Sequence, residues 1–169
     1  SQEFQDYWKN TGRRVHGGIY SDGKRKTARP LSPKKPIHLV VRSTRARGSF
    51  SLWNHKRKVK NLIEKYARLY RVKIYDFSNN GNHLHILLKT NERVSLQNFM
   101  RVTLGLIARS VMGSKKGQTQ GKFWDALAFT RLAEWGRPFK NLRNYVLQNI
   151  LEAAGVVSYK SRKYKLKTS

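Results

Sequence analysis

The chain has 169 residues, contains no cysteine, and carries 36 lysines and arginines against 9 acidic residues, a net charge of +27. The lack of cysteine excludes disulfides, thiolate metal sites and cysteine nucleophiles. No apolar run reaches the length of a membrane span. So large a positive charge attracts polyanions and favours a nucleic-acid partner over a membrane surface.

The two ends of the chain are basic and lack periodicity. Residues 1–35 are rich in turn-forming glycine and proline, which prevents a long regular element. They are predicted to be an arm that lies on phosphates, although a disordered solubilising tail explains the composition equally well. A second basic segment, 156–169, is predicted to be a tail. We therefore predict a single domain over 1–169, with its core at about 36–155. The candidate DNA-binding residues of the arm are Arg13, Arg14, Lys24, Arg25, Lys26 and Arg29.

From residue 37 onward, strand patterns and helix patterns alternate. β-branched apolar runs predict strands, and apolar residues three or four apart predict helices. A Ser-Asn-Asn-Gly sequence at 78–81 predicts a hairpin turn, so the strands beside it should be antiparallel neighbours. Ser95 is predicted to cap the second helix. In order, the predicted elements are strand 37–41, helix 52–70, strand 72–77, strand 82–89, helix 95–112, strand 128–135 and a last helix from about Pro138 to Gly155.

This order is typical of an α+β fold, the ferredoxin-like sandwich. It predicts a four-stranded antiparallel sheet with two helices on one face and an added C-terminal helix that carries a tyrosine. Because two helices cover one face, the other face is expected to be open to a ligand. The first strand ends in three further candidate DNA-binding residues, Arg42, Arg45 and Arg47.

Two histidines lie on the predicted strand 82–89. His83 and His85 are two residues apart, so both imidazoles should project from one face of the sheet. Two imidazoles on one face form half of a site for a divalent metal. Two unrelated surface histidines give the same short pattern, and the pair alone favours that interpretation. The alternating residues that should face the helices are Leu84, Ile86 and Leu88.

The last helix carries a tyrosine and an asparagine one turn apart. At 100° per residue, Asn149 falls within the apolar stripe of the helix and Tyr145 on its edge. A buried amide needs a partner, either a backbone group or a metal ion shared with the histidines. In the second case, the tyrosine is placed to attack a phosphodiester that the ion polarises. By residue type alone, Tyr145 is more often a packing residue.

Three segments, taken together, resemble the HUH single-tyrosine transposases, and most closely the REP-associated tyrosine transposases. They are Pro36–Arg42, Asn82–His85 with a histidine-hydrophobic-histidine motif, and Asn144–Asn149 with a Tyr-x-x-x-Asn motif. The resemblance covers about residues 36–155. It implies a ferredoxin-like fold, single-stranded or hairpin DNA as substrate, a Mg²⁺ or Mn²⁺ ion, and a 5′-phosphotyrosine intermediate.

The resemblance also implies roles for individual residues. His83 and His85 correspond to metal ligands, Tyr145 to the nucleophile, and Asn149 to the third protein ligand. Gln148 is the alternative third ligand, since many relatives have glutamine, but it lies about 100° away around the helix.

The implied function is that of a metal-dependent endonuclease and strand transferase in the cytoplasm, associated with the nucleoid. Both a monomer and a homodimer agree with the resemblance. The alternative is a non-catalytic module that binds single-stranded nucleic acid, because an open four-stranded sheet also suits base stacking.

Overall fold

The structure is a computed structural model that describes residues 15–21, 23, 27–115, 117–118 and 120–159. Within these residues the chain forms a mixed α/β fold of five antiparallel strands and three helices. The strands are β1 Val15–His16, β2 Ile37–Arg42, β3 Lys73–Asn79, β4 His83–Lys89 and β5 Phe129–Leu132. The helices are α1 Lys56–Leu69, α2 Arg93–Met112 and α3 Arg137–Ala153. No helix in this part of the chain is long and apolar enough to cross a membrane.

The strand order is β1-β5-β2-β4-β3, so the predicted four-stranded sheet is one strand short. The additional strand, β1, comes from the basic arm and pairs with β5 through Val15 opposite Arg131. It is followed by Gly17, whose φ is 82° and where a Cβ would lie 2.2 Å from the Ala128 oxygen. Only glycine allows the chain to pass so close. A strand of two residues has no periodicity, which is why the sequence did not indicate it.

The elements predicted from residue 37 onward are all present, with shifted ends. Helix α1 begins at Lys56 rather than at 52. The prediction that Ser95 caps α2 is wrong, because the helix begins at Arg93 after Glu92. Ser95 lies in the first turn instead, and its hydroxyl donates to the Glu92 carboxylate at 3.2 Å. Pro138 lies at the start of α3, as predicted.

The main core lies between the sheet and the helix pair α1 and α2. Alternate residues of β2 and β4 are buried there in one apolar cluster with residues of both helices, which confirms the predicted orientation of β4. We call this side of the sheet the α1/α2 face. Its most buried strand residues are Ile37, Leu39, Leu84, Ile86 and Leu88.

The opposite side of the sheet, which we call the α3 face, is not open as predicted, because α3 packs on it. Leu87 of β4, Ala133 after β5 and Leu142 of α3 form a second apolar cluster. Partly buried aromatic residues pack against this cluster: Tyr75, Phe139 and Tyr145. The strands that carry the histidines are therefore covered by a helix on both sides.

An irregularity in β3 helps to attach α3. The register of β3 against β4 shifts between Ile74 and Asp76, so Tyr75 and Asp76 both reach the α3 face. There the Arg143 side chain of α3 donates from Nε to the Asp76 Oδ2 atom at 2.6 Å. This bulge gives α3 one apolar and one ionic contact with consecutive residues of the edge strand.

Candidate active site

The structure brings both predicted histidines together with the predicted tyrosine. The rings of His83 and His85 are 4.9 Å apart between centroids, at an angle of 79°. Helix α3 places the Tyr145 ring edge-on against His85, with the centroids 5.4 Å apart. Strand alternation accounts for the shared face of the histidines, and the packing of α3 accounts for the position of the tyrosine.

Asn149 is buried on α3, one turn after Tyr145. Its side chain is 4% exposed, as expected for a residue within the apolar stripe of the helix. The alternative residue, Gln148, donates from its amide nitrogen to the carboxylate of Glu152 at 3.0 Å, one turn further along the same helix. The buried position therefore favours Asn149 over Gln148 as a residue of the site, and its role as a ligand stays a prediction.

Hydrogen bonds hold both histidines through Nδ1. The Nδ1 atom of His83 is 2.6 Å from Oδ1 of Asn82, and Nδ1 of His85 is 3.0 Å from Nε2 of His38. An amide oxygen only accepts, so His83 donates from Nδ1 and keeps its lone pair on Nε2. A metal bond through Nε2 of His85 would likewise require its Nδ1 to donate to His38.

Burial keeps two imidazoles of this cluster neutral. Burial and, to a smaller extent, the nearby charge of Arg42 lower the pKa of His83 to about 4. Burial also lowers the pKa of His38 to about 3, with a smaller effect from Arg131. At pH 7 both rings are therefore uncharged, which is the form that binds metals and accepts hydrogen bonds.

Two residues of this cluster were not predicted. His38 lies on β2 between Ile37 and Leu39, which are buried on the α1/α2 face. Strand alternation therefore places His38 on the α3 face, with His83 and His85. Ser78 lies directly opposite His85 in the sheet and is 1% exposed. Its hydroxyl has no hydrogen-bond partner among the residues that the structure describes. The sequence analysis missed Ser78 because it assigned this residue to the turn at 78–81, whereas β3 continues to Asn79 and pairs Ser78 with His85.

These residues fit a divalent ion. The cluster offers imidazole nitrogens as ligands. Opposite His85, the buried hydroxyl of Ser78 has no hydrogen-bond partner among the described residues, so a polar group such as an ion-bound water would satisfy it. The described residues contain no group of three histidine, cysteine or acidic side chains that could hold a metal. An ion here would therefore depend on His83, His85 and the amide of Asn149, with water or substrate oxygens completing its coordination.

The candidate DNA-binding arginines fall into three groups. Arg42 is directly opposite His83 on the α3 face and is exposed, as is Arg47 farther along the chain. Arg29 instead donates to the Ala128 oxygen and the Thr130 hydroxyl, and burial lowers its pKa to about 10. Arg45 donates to the backbone oxygens of Gln120 and Lys122. The candidates that lie outside the described residues are Arg13, Arg14, Lys24, Arg25 and Lys26.

A short segment before β5 fixes the end of β2 that carries Arg42. The Asp125 backbone N–H donates to the Arg42 oxygen at 2.9 Å. In return, Thr44 donates from its backbone N–H and its hydroxyl to the Asp125 carboxylate, at 2.8 and 3.0 Å. The backbone that carries Arg42 beside His83 is thus held by hydrogen bonds to Asp125.

The chain matches the model of the family described as Transposase IS200 like over residues 33–149, more than half of its length. The chain belongs to the IS200-like transposase family. The matched range contains β2 to β5, both histidines of β4 and Tyr145, and it ends at Asn149. This confirms the resemblance to the single-tyrosine HUH transposases. Among curated proteins, no significant match is found.

Membership of this family indicates a transposase-like function in DNA processing. It indicates that the chain acts on DNA and that DNA cleavage is its general type of reaction. It also indicates a divalent metal as cofactor, without identifying the metal.

Proposed function

We propose that this transposase-family chain is a metal-dependent single-stranded DNA endonuclease and strand transferase that acts through a 5′-phosphotyrosine intermediate. The observation that carries the proposal is the contact between Tyr145 and His85, whose ring centroids lie 5.4 Å apart. This contact puts the tyrosine beside a predicted metal ligand, as attack on an ion-bound phosphate would require. Within the family, the motifs favour the REP-associated subgroup.

The proposal includes a ferredoxin-like core. The elements from β2 to β5 follow the order strand, helix, strand, strand, helix, strand, and the four strands are arranged β5-β2-β4-β3. With α1 and α2 on one face, this arrangement supports the ferredoxin-like fold. The edge strand β1 and helix α3 are additions to that core, and α3 supplies Tyr145.

In the proposed reaction, the Tyr145 oxygen attacks a backbone phosphorus of single-stranded DNA. The Oη–P bond forms while the bond from phosphorus to the 3′ oxygen breaks, and that oxygen leaves as a 3′-hydroxyl. The 5′ phosphate stays on the tyrosine. Attack by a different 3′-hydroxyl reverses the step and joins new DNA, at little energetic cost because one phosphodiester replaces another.

The other residues of the site would position the phosphate. Tyrosine has an ordinary pKa near 10 and needs assistance to act as a nucleophile. A Mg²⁺ or Mn²⁺ ion held by His83, His85 and Asn149 would polarise a phosphate oxygen and stabilise charge at phosphorus. Arg42, exposed beside His83, is placed to hold a neighbouring phosphate oxygen.

The alternative function, a non-catalytic binding module, relied on an open sheet. Helix α3 covers that sheet, and His85 and Leu87 are only 5% and 0% exposed. Bases therefore have no access to the middle of the strands, which removes the reason for preferring a stacking module. Nothing else in the site favours this alternative over cleavage.

The experiment that tests the proposal is the Tyr145→Phe substitution. Labelled single-stranded DNA with hairpins and randomised flanks is incubated with protein and Mn²⁺, and covalent adducts are separated by denaturing electrophoresis. We expect an adduct with the parent and none with Tyr145→Phe. Thermal stability should change by no more than about 1 kcal/mol, the usual contribution of one hydrogen bond.

Tyr159→Phe is the matched control, because Tyr159 is 77% exposed beyond the end of α3. This variant should form the adduct like the parent. An adduct that persists in Tyr145→Phe would assign the nucleophile to another tyrosine. The complete absence of an adduct in the parent, with DNA still bound, would favour the binding module.

A further inference from the structure

An aromatic cluster lies at the end of the α3 face farthest from His83. Trp135, just before α3, contacts Phe139 in the first turn of the helix, with centroids 4.6 Å apart. Tyr75 of β3 meets both rings edge-on, at 5.6 Å and 5.4 Å. The indole N–H donates to the Lys34 backbone oxygen, so the ring is held in one orientation. Trp135 nevertheless remains 44% exposed.

Positive charge adjoins this cluster. The Lys73 ammonium lies 5.0 Å from the centroid of the Tyr75 ring. Lys73 is also directly opposite Lys89 in the sheet, and like charges in that position are destabilising. Together with Arg71, these lysines line a cavity of about 350 Å³ whose wall includes one acidic residue, Glu92. Such an excess of positive charge suits an anionic ligand.

We propose that Trp135 and the cavity lined by Arg71, Lys73 and Lys89 form a subsite for single-stranded DNA, in which an unpaired base stacks on the indole and the adjoining phosphate enters the cavity. The proposal rests on the proposed function, since it assumes a single-stranded substrate. Lys73 connects the two parts, because it contacts the aromatic cluster and lines the cavity. A rigid aromatic surface next to cations is the usual means of binding unpaired bases without regard to sequence.

The subsite is distant from the bond that is cut. Lys89 follows His83 by six residues along β4, which is about 20 Å at the rise of a strand. Phe139 precedes Tyr145 by six residues along α3, which is about 9 Å. The subsite would therefore hold a part of the DNA other than the phosphate that Tyr145 attacks, and it would guide the strand without taking part in the chemistry.

The test compares two oligomers of equal length and charge, oligodeoxythymidylate and an abasic phosphodiester. Binding to the full chain is measured by fluorescence anisotropy in EDTA, so no cleavage occurs. Trp135→Leu should weaken binding of oligodeoxythymidylate roughly 5- to 150-fold, the range for one stacked base, and leave the abasic oligomer unaffected. Trp135→Phe keeps an aromatic face and should restore most of the affinity. The matched control is Trp53→Leu, because Trp53 is a partly exposed tryptophan elsewhere in the fold, with the Lys56 ammonium 4.7 Å from its ring centroid.

The lysines have a separate readout. Replacing both Lys73 and Lys89 by Gln should weaken binding of both oligomers and reduce the salt slope by about 0.7 for each phosphate that the variant no longer neutralises. Lys60→Gln with Lys65→Gln, the same change of charge on α1, should have a smaller effect.

Several outcomes would overturn the subsite while leaving the proposed function intact. These are unchanged binding in Trp135→Leu, equal losses for both oligomers in that variant, or equal losses in Trp53→Leu. A parent that does not bind oligodeoxythymidylate would contradict both proposals. A parent that shows the expected binding pattern but never forms a covalent adduct would contradict the proposed function alone.

Discussion

The two faces of the sheet are built from alternate residues of the same strands, yet they differ in chemistry. On the α1/α2 face, most buried strand residues are aliphatic, such as Leu39 and Ile86. The two polar ones have hydrogen-bond partners: Asn79 donates to the Leu52 oxygen, and the Thr130 hydroxyl accepts from Arg29. On the α3 face, the strands contribute three buried polar residues, His38, Ser78 and His85. Burial of polar groups costs free energy that a purely packing surface would avoid. We propose that the α1/α2 face stabilises the fold and that the α3 face serves the reaction.

The largest expected effect concerns the α3 face. His83→Ala or His85→Ala should reduce metal-dependent cleavage more than 100-fold, because even residues that only orient a metal ligand typically contribute 10- to 100-fold. DNA binding should change little, since the lysines and arginines, and not these histidines, are proposed to hold the phosphates. Cleavage and binding are measured on the same labelled single strand.

The matched control for these variants is His55→Ala, at a partly buried histidine just before α1 whose Nε2 is hydrogen-bonded to the Ser49 backbone oxygen. This variant should cleave like the parent. Cleavage at the parental rate in either His83→Ala or His85→Ala would place the metal elsewhere.

On the α1/α2 face, a substitution is expected to lower stability and to leave cleavage unchanged. Ile86 follows His85 in β4, points to the α1/α2 face and is 0% exposed. Ile86→Ala should lower the free energy of unfolding by about 2–5 kcal/mol, through reduced apolar burial and an unfilled cavity. Urea denaturation measures this change. Under conditions where the variant is folded, its cleavage rate should stay close to that of the parent, and a specific loss of cleavage would contradict the division between the faces.

The smallest effect is a dependence of stability on acid. The folded-state pKa of His38 is about 3 and that of His83 about 4, both below the ordinary value of 6.5. Between pH 6 and 5 the unfolded chain therefore binds more protons than the folded chain, and stability falls as the pH falls. Each histidine should contribute about 1 kcal/mol over this unit of pH.

His38→Gln should remove about half of this histidine contribution, because glutamine does not titrate. The measurement is the free energy of unfolding in urea at pH 6 and at pH 5, compared between the parent and the variant. Equal slopes in the two proteins would show that His38 is not held neutral by burial.

Much of the site could be predicted because it follows from local periodicity. The alternation of β4 placed His83 and His85 on one face, and the turn of α3 placed Asn149 in the buried stripe. The ends of elements were less accurate, as at Ser95, because capping depends on which carbonyls and hydroxyls are nearby in space. The open face was predicted wrongly, since periodicity shows that α3 has an apolar stripe without showing which surface the stripe covers.

The sequence by itself determined the charge of the chain, the order of its core elements and the pairing of residues within one strand or one helix turn. These properties depend on composition and on the fixed geometry of the backbone. The tertiary structure alone decided that α3 covers the histidines, that β1 extends the sheet, and that His38 bonds to His85 across 47 residues. Such contacts depend on strand register and helix docking, which are selected among many long-range alternatives by the packing of the whole chain.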